Sequence, residues 1–353
     1  MQKSLKTLAI FLLTLVTLPV SAFEESRTYK EIIKKDPESN YVFIFVYRSA
    51  AYLDWSSPSN LAWTSIQSEI AKKVNSDASS IGHAQIAWHC HDKGGNLVSG
   101  ATGQTGDSND QDIGLLLKGW GLSILDAVFT DGMLESEQVV ESRMKIADKT
   151  KNFSWMAIKT TSDACLGLSN FVHDYDKSGA AKNYGFPVDP FKFEGAGCTS
   201  FANAAVTKTE LKIPLSEAWV RHVRVPKKYM GKLDEGHPLT KLLEMAKNKD
   251  EIKKIPLSSF LFGNVAWAKE NEEYKDFYYY DPELFYESMI HLENKYREFS
   301  GIRSKNPLRS KTYDSSQLKT RQISESWFND LLSNNKRIKM DKIHNTTGLI
   351  INY

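Results

Sequence analysis

The chain has 353 residues, 41% of them hydrophobic and 25% charged, with 45 Lys and Arg against 43 Asp and Glu. That length and apolar content suffice for a packed core in one large domain or two modest ones, and no low-complexity tract argues for disorder. The near-neutral balance excludes a globally electrostatic partner such as nucleic acid.

The first 22 residues read as a signal peptide. Lys3 and Lys6 form a charged opening, Leu8 to Leu18 an apolar run, and Val20-Ser21-Ala22 a small-residue cleavage pattern. The run is short for a membrane span, so no integral span is expected after processing. A periplasmic or secreted location follows as an expectation. Removing the leader takes two lysines and no acids, so the remaining chain is formally balanced. Cysteines 90, 165 and 198 remain, an odd number in an oxidising compartment. A Cys90–Cys165 disulfide would leave Cys198 free. All three reduced and buried is the open alternative.

Residues 23–40 are polar and suit a short helix or arm. Tyr41 to Arg48 is rich in aromatic and β-branched residues and reads as a buried strand. Ser57-Pro58-Ser59 opens a helix over Asn60 to Val74. Gly82 to Cys90 alternates as a strand, with Ala84, Ile86, Trp88 and Cys90 on one face and His83, Gln85, Ala87 and His89 on the other. Asp92 to Gly95 is a turn, and Asn96 to Gln104 returns as the hairpin partner. A simple register sets Gln104 opposite His83, with Asn96, Ser99 and Thr102 as the other polar choices. His89 and His91 share a face and could ligate zinc, but no second ligand pair has suitable spacing, so no metal or other cofactor is expected.

Residues 105–134 read as a long loop with a short ordered segment. Glu135 to Ala147 suits a helix and Ser154 to Thr161 a strand. A second helix, capped by Ser162 or Asp163, carries Leu166, Leu168, Phe171 and Val172 on one side. Lys182 to Pro187 is a turn. It leads to Phe193-Glu194-Gly195-Ala196-Gly197-Cys198-Thr199-Ser200-Phe201-Ala202. Two glycines bend the backbone, and Cys198 falls at a helix N-terminus. There, free N–H groups and the helix dipole favour a thiolate. Gly197 permits close approach of a substrate backbone. The simpler reading of Cys198 is a small buried hydrophobe. Beyond Val206 come expected strands at 218–225 and 257–267, a helix at 239–246, an aromatic segment at 274–280 and a helix at 282–299. The stretch from Gly301 onward is basic, with a periodic run only at 327–332. It offers weak contact to an anionic surface, although a solvated face is the simpler reading.

A strand-borne Gly82-His83, then a polar hairpin partner, then a helix-borne Gly197-Cys198 resembles the circularly permuted papain-like cysteine hydrolases and acyltransferases. That clan includes bacterial cell-wall peptidase relatives and lecithin–retinol acyltransferase. The resemblance covers roughly residues 41–225, with the histidine preceding the cysteine. It implies an α+β fold with an antiparallel sheet packed on the cysteine-bearing helix. Residues 23–225 would be the catalytic domain and 226–353 a C-terminal extension or lobe. It also implies a Cys198 nucleophile, a His83 base and an orienting third residue, for which Gln104 is the choice. Tyr184 is a candidate substrate or oxyanion contact, with a core or rim tyrosine the simpler reading, and the Cys198 backbone N–H is the better oxyanion donor. The expected activity is hydrolysis of a peptide or amide bond, in peptidoglycan given export. Acyl transfer or hydrolysis on lipid or N-acyl substrates is the alternative, and a catalytically inactive envelope-binding protein the non-enzyme alternative.

Overall fold

The computed structural model describes residues 29–74, 79–106, 119–150, 153–209, 214–231, 254–302, 315–334, 338–343 and 346–352. The expected leader and the expected helix at 239–246 lie outside them. Among the described residues the fold is α+β, with eight α-helices and a six-stranded sheet.

The sheet is built on β1, Asn40–Tyr47. Its alternation decides both layers of the core. Val42, Ile44 and Val46 face one cluster, and Tyr41, Phe43, Phe45 and Tyr47 face the other, all of them buried. A strand covered on both faces must be apolar throughout, which is why this one reads as an unbroken run. Burying each Phe side chain contributes about 1.5–3 kcal/mol. β2 (His83–His91) pairs antiparallel with β1 and brings Tyr47 opposite His83. β3 (Leu97–Thr102) follows antiparallel on β2, and β4 (Gln104–Gly106) leaves the sheet. β5 is Val128–Phe129, β6 is Gly132–Leu134 and β7 is Phe153–Thr160. β7 lies antiparallel on the other side of β1.

Two helices cover the aromatic layer: α1 (Lys30–Lys35) supplies Ile32, and α3 (Glu137–Thr150) supplies Val140 and Met144. α2 (Pro58–Val74) lies apart from this layer. The opposite layer takes α4 (Ser162–Lys177) and α5 (Cys198–Thr207). Thr161 caps α4, its hydroxyl accepting from the Ala164 N–H at 3.3 Å, one position before the expected caps. Cys90 of β2 and Cys165 of α4 form a disulfide, leaving Cys198 as the free cysteine. β8 is the short strand Tyr184–Gly185.

The remaining chain departs from expectation in three places. Residues 257–267 are not a strand. Pro256 stands at the N-cap of the short helix α6 (Leu257–Phe262), and Gly263 ends it. The apolar run was too short for periodicity to separate the two states. The stretch after Gly301 holds a long helix, α8 (Ser315–Ser333), and two strands, β11 (Ile338–Ile343) and β12 (Thr346–Asn352). Finally, β12 pairs in parallel with β7, so the sheet is mixed rather than antiparallel, in the order β11-β12-β7-β1-β2-β3. The far end of the chain therefore completes the sheet that carries His83. α7 (Pro282–Phe299) and α8 cover its Val/Ile face through Phe285, Met289, Trp327 and Leu331. A smaller core lies between α2, α6 and the two-stranded sheet of β9 (Val220–Pro226) and β10 (Tyr274–Tyr280).

Candidate active site

α5 begins where two glycines let it. Gly195 has φ +134°, and a Cβ there would lie 2.4 Å from the Asn183 carbonyl oxygen. This close approach lets the Ala196 N–H donate to the Asn183 oxygen at 3.1 Å and ties the Cys198 loop to the Tyr184 segment. Gly197 is the extended N-cap, and its N–H donates to the Ser200 hydroxyl at 2.9 Å. Cys198 is the first helical residue, at the positive end of the helix dipole. Ala202, Ala204 and Ala205 are fully buried and let the helix lie close on the sheet.

His83 opens β2, and its ring and the Cys198 thiol act on each other as hydrogen-bond partners. Both are buried, His83 at 4% and Cys198 at 5% exposure. The Ala84 backbone N–H and the Thr199 hydroxyl, the latter 3.7 Å from Sγ, also face the sulfur. The His83 Nε2 lies 2.9 Å from the Glu135 Oε2. A carboxylate can only accept there, so Nε2 carries a proton and Nδ1 is left for the thiol.

Glu135 is the orienting group, in place of Gln104. It stands between β6 and α3, and its backbone N–H donates to the Gly103 oxygen at 2.8 Å. The Thr102 hydroxyl donates to the Glu135 backbone oxygen at 2.9 Å. The carboxylate accepts from His83, from the Gln85 amide and, at 2.7 Å, from Arg143. Tyr47 donates to the Gln85 Oε1 at 2.7 Å, which turns the amide nitrogen toward Glu135. Space for the carboxylate comes from Gly103, where a Cβ would lie 2.6 Å from the Glu135 Oε2 and 2.8 Å from the Gln85 Cγ.

The charges reinforce one another. Burial alone pushes the His83 imidazole down. The Glu135 carboxylate more than offsets this, against a smaller opposing effect of Arg143, and the pKa rises to about 9. Burial pushes the Glu135 carboxyl up, but His83, Arg143 and Gln85 hold it well below the usual carboxylate range. Burial likewise raises the Cys198 thiol, and the His83 hydrogen bond and charge bring it below its ordinary value. The arrangement is a thiol, an imidazole that can take its proton, and a buried carboxylate that fixes the ring.

Gln104 lies elsewhere for a geometric reason. β3 pairs Thr102 with Ile86, and the ladder ends at Gly103. Gln104 then pairs with Leu134 in β4 and β6. Its fully buried side chain accepts from the Tyr175 hydroxyl at 2.6 Å and donates to the Ala181 and Asn183 oxygens at 3.1 and 2.9 Å. It braces the segment that holds the Cys198 loop. Of the other polar choices, Asn96 donates to Asp92 in the turn, Ser99 is paired with His89, and Thr102 touches Glu135 only at its backbone. Tyr184 sits in β8, bridged to Ala196, two residues before Cys198. His89 donates to the Pro37 oxygen at 2.9 Å, and among the described residues no group of three or more His, Cys, Asp or Glu is placed to hold a metal ion.

Glu135 and Arg143 were legible only as part of a helix start. The signal that was present is Gln85, two residues after His83 and on its face. No protein-family profile, curated protein or solved structure matches this chain.

Proposed function

We propose that the chain is an exported thiol hydrolase of permuted papain-like type. The observation that carries this reading is the buried contact of Cys198 with His83, backed by Glu135. The thiol proton passes to the His83 Nδ1, and the thiolate attacks an amide carbonyl. The imidazolium then protonates the leaving amine, and water, deprotonated by the same histidine, resolves the thioester. The Cys198 backbone N–H, at the first position of its helix, is suited to receive the developing oxyanion. The proposed substrate is a peptide or amide bond of peptidoglycan, on the strength of the expected export.

The test is iodoacetamide alkylation of Cys198 across pH in the wild type, His83→Ala and Glu135→Gln. The expected wild-type protein labels well below the reference thiol pKa of about 8.5. His83→Ala loses that low-pH reactivity, and Glu135→Gln shifts the profile up by about one unit, since a neutral amide no longer stabilises the imidazolium. Equal, slow labelling in all three overturns the reading. Digestion of purified cell wall with no Cys198-dependent release removes the peptidoglycan substrate while leaving the thiol chemistry standing.

A further inference from the structure

Two hydroxyls follow Cys198 in the chain, and the fold uses them differently. Ser200 belongs to the helix start. Its hydroxyl accepts from the Gly197 N–H at 2.9 Å and donates to the Gly197 oxygen at 3.0 Å. Thr199 has no such duty. It is 1% exposed, and among the described residues the partner of its hydroxyl is the Cys198 Sγ, 3.7 Å away.

A hydroxyl bonded to a thiol can point either way, and the neighbours decide the direction. The thiol has one proton to give. The His83 Nδ1 is the acceptor for it, because Nε2 already donates to Glu135. The Thr199 hydroxyl is therefore left to donate to the sulfur. A buried hydroxyl that donated to nothing would carry the cost of an unmade hydrogen bond. The Ala84 N–H faces the same sulfur, and Ala84 lies past the last pair of the β2–β3 ladder, Ile86 with Thr102. Once its proton has moved, the sulfur thus meets an imidazolium, a hydroxyl and an amide. A donor to an ionised acceptor is roughly twice as strong as one to a neutral acceptor, so this set favours the thiolate over the thiol.

We propose that Thr199 is a further catalytic residue, its hydroxyl donating to the Cys198 sulfur and holding it as the thiolate. This role rests on the thiol–imidazole reading above. In acylation the sulfur electron pair forms the C–S bond, and the hydroxyl loses its ionised partner. In deacylation water adds to the thioester carbonyl and passes a proton to His83. The C–S bond then breaks, its electron pair returns to sulfur, and the carboxylic acid product leaves. Thr199 donates to the charge that develops there and keeps its own proton throughout. The interaction favours the resting thiolate and the second half of the cycle. It takes some nucleophilic strength from the first half, since a better-held thiolate attacks less readily.

The test is iodoacetamide alkylation of the full chain across pH in the wild type, Thr199→Val, Thr199→Ala and Thr199→Ser. Cys90 and Cys165 are paired, so the label reads Cys198 alone. Valine keeps the branched shape and drops the hydroxyl, alanine drops both, and serine keeps the hydroxyl. Thermal melts establish that each variant is folded. Thr199→Val is expected to move the midpoint of the profile up by about one pH unit. The plateau rate above that midpoint does not fall, because a thiolate with one donor fewer is the stronger nucleophile. Thr199→Ala gives the same upward shift and carries the test where the valine variant does not fold. Thr199→Ser follows the wild type. Hydroxyl-free variants that superimpose on the wild type overturn the proposal and leave the Cys198–His83 pair standing. A plateau that falls while the midpoint stays in place also overturns it, since that is the mark of mispacking beside the thiol. A wild type with no low-pH reactivity removes the thiol–imidazole reading, and this role with it.

Discussion

At the residue scale, the carboxylate behind His83 decides what the thiol can do. A cysteine buried beside an uncharged imidazole would keep its proton, because burial opposes both charged forms. Glu135 reverses this by placing a full negative charge 2.9 Å from the His83 Nε2. The pair then has a distinctive proton balance. Folding raises the His83 imidazole and lowers the Cys198 thiol, so it moves the proton of the pair from sulfur toward nitrogen. Proton uptake at His83 on folding is thus opposed by proton release from Cys198, so the pair adds less slope to stability against pH than His83 alone would. In Cys198→Ala, His83 still has its pKa raised by Glu135, but no thiol compensates. Its stabilisation is then full below about pH 6.5 and is lost as pH rises toward the folded value. Urea midpoints at pH 6.5 and pH 9 should fall more with pH in Cys198→Ala than in the wild type, and equal slopes would mean that His83 is not held charged.

Gly103 matters for the space it leaves. Adding one methyl there intrudes on the Glu135 carboxylate, the Gln85 stem and, at 3.1 Å, the Ala84 oxygen. Gly103→Ala should cost about 1–3 kcal/mol of stability through overpacking. It should also slow Cys198 alkylation at low pH, since the displaced carboxylate no longer holds the imidazolium. A variant that melts early but alkylates like the wild type would separate packing from positioning.

At the element scale, β2 carries the site because its first residue is pinned from outside the sheet. Gly82 has φ +81°, a conformation that a side chain strains, and a Cβ would lie 2.8 Å from the Pro282 Cβ and 3.0 Å from the Tyr47 oxygen. Pro282 begins α7, where the Asp281 side chain accepts from the Glu283 N–H at 2.8 Å. Asp281 also pairs with the buried Arg221 of β9 at 2.5 Å. The start of α7 is thus locked in place against the start of β2. Gly82→Ala should destabilise the fold by about 2–4 kcal/mol, combining left-handed strain with overpacking. Differential scanning calorimetry checks this, and a loss under about 1 kcal/mol would mean that α7 gives way.

At the scale of the whole molecule, the sheet is assembled from both ends of the described chain. β1 lies near its beginning and β12 at its end, with β7 between them. The parallel β12–β7 pairing needs a long crossover, which α7, α8 and β11 provide. The Cys90–Cys165 disulfide adds a second long-range tie, fastening α4 to β2 over a separation of 75 residues. A loop of that length corresponds to about 4 kcal/mol in the chain-entropy account. Cys90→Ala/Cys165→Ala should therefore lower stability by about 2–5 kcal/mol in urea unfolding. It should leave the Cys198 alkylation profile in place, because neither cysteine touches the thiol pair.

Local pattern by itself determined the elements whose signal is contained within them. The alternation of β1 and β2, the glycine-led start of the Cys198 helix and the proline-led start of α7 all lie within a few residues, and each formed where its spacing placed it. His83 and Cys198 stood out because a strand start and a helix start are local events. Only the tertiary structure decided what their neighbours are. Glu135 is 52 residues from His83 and reaches it because Gly103 breaks the hairpin and leaves room for a carboxylate. The parallel strand β12 belongs to the same class, since a strand's pairing partner is set by what comes to lie beside it from elsewhere in the chain. A hydrogen bond between residues far apart in the chain has no period and no spacing, so it leaves no trace in the order of the residues.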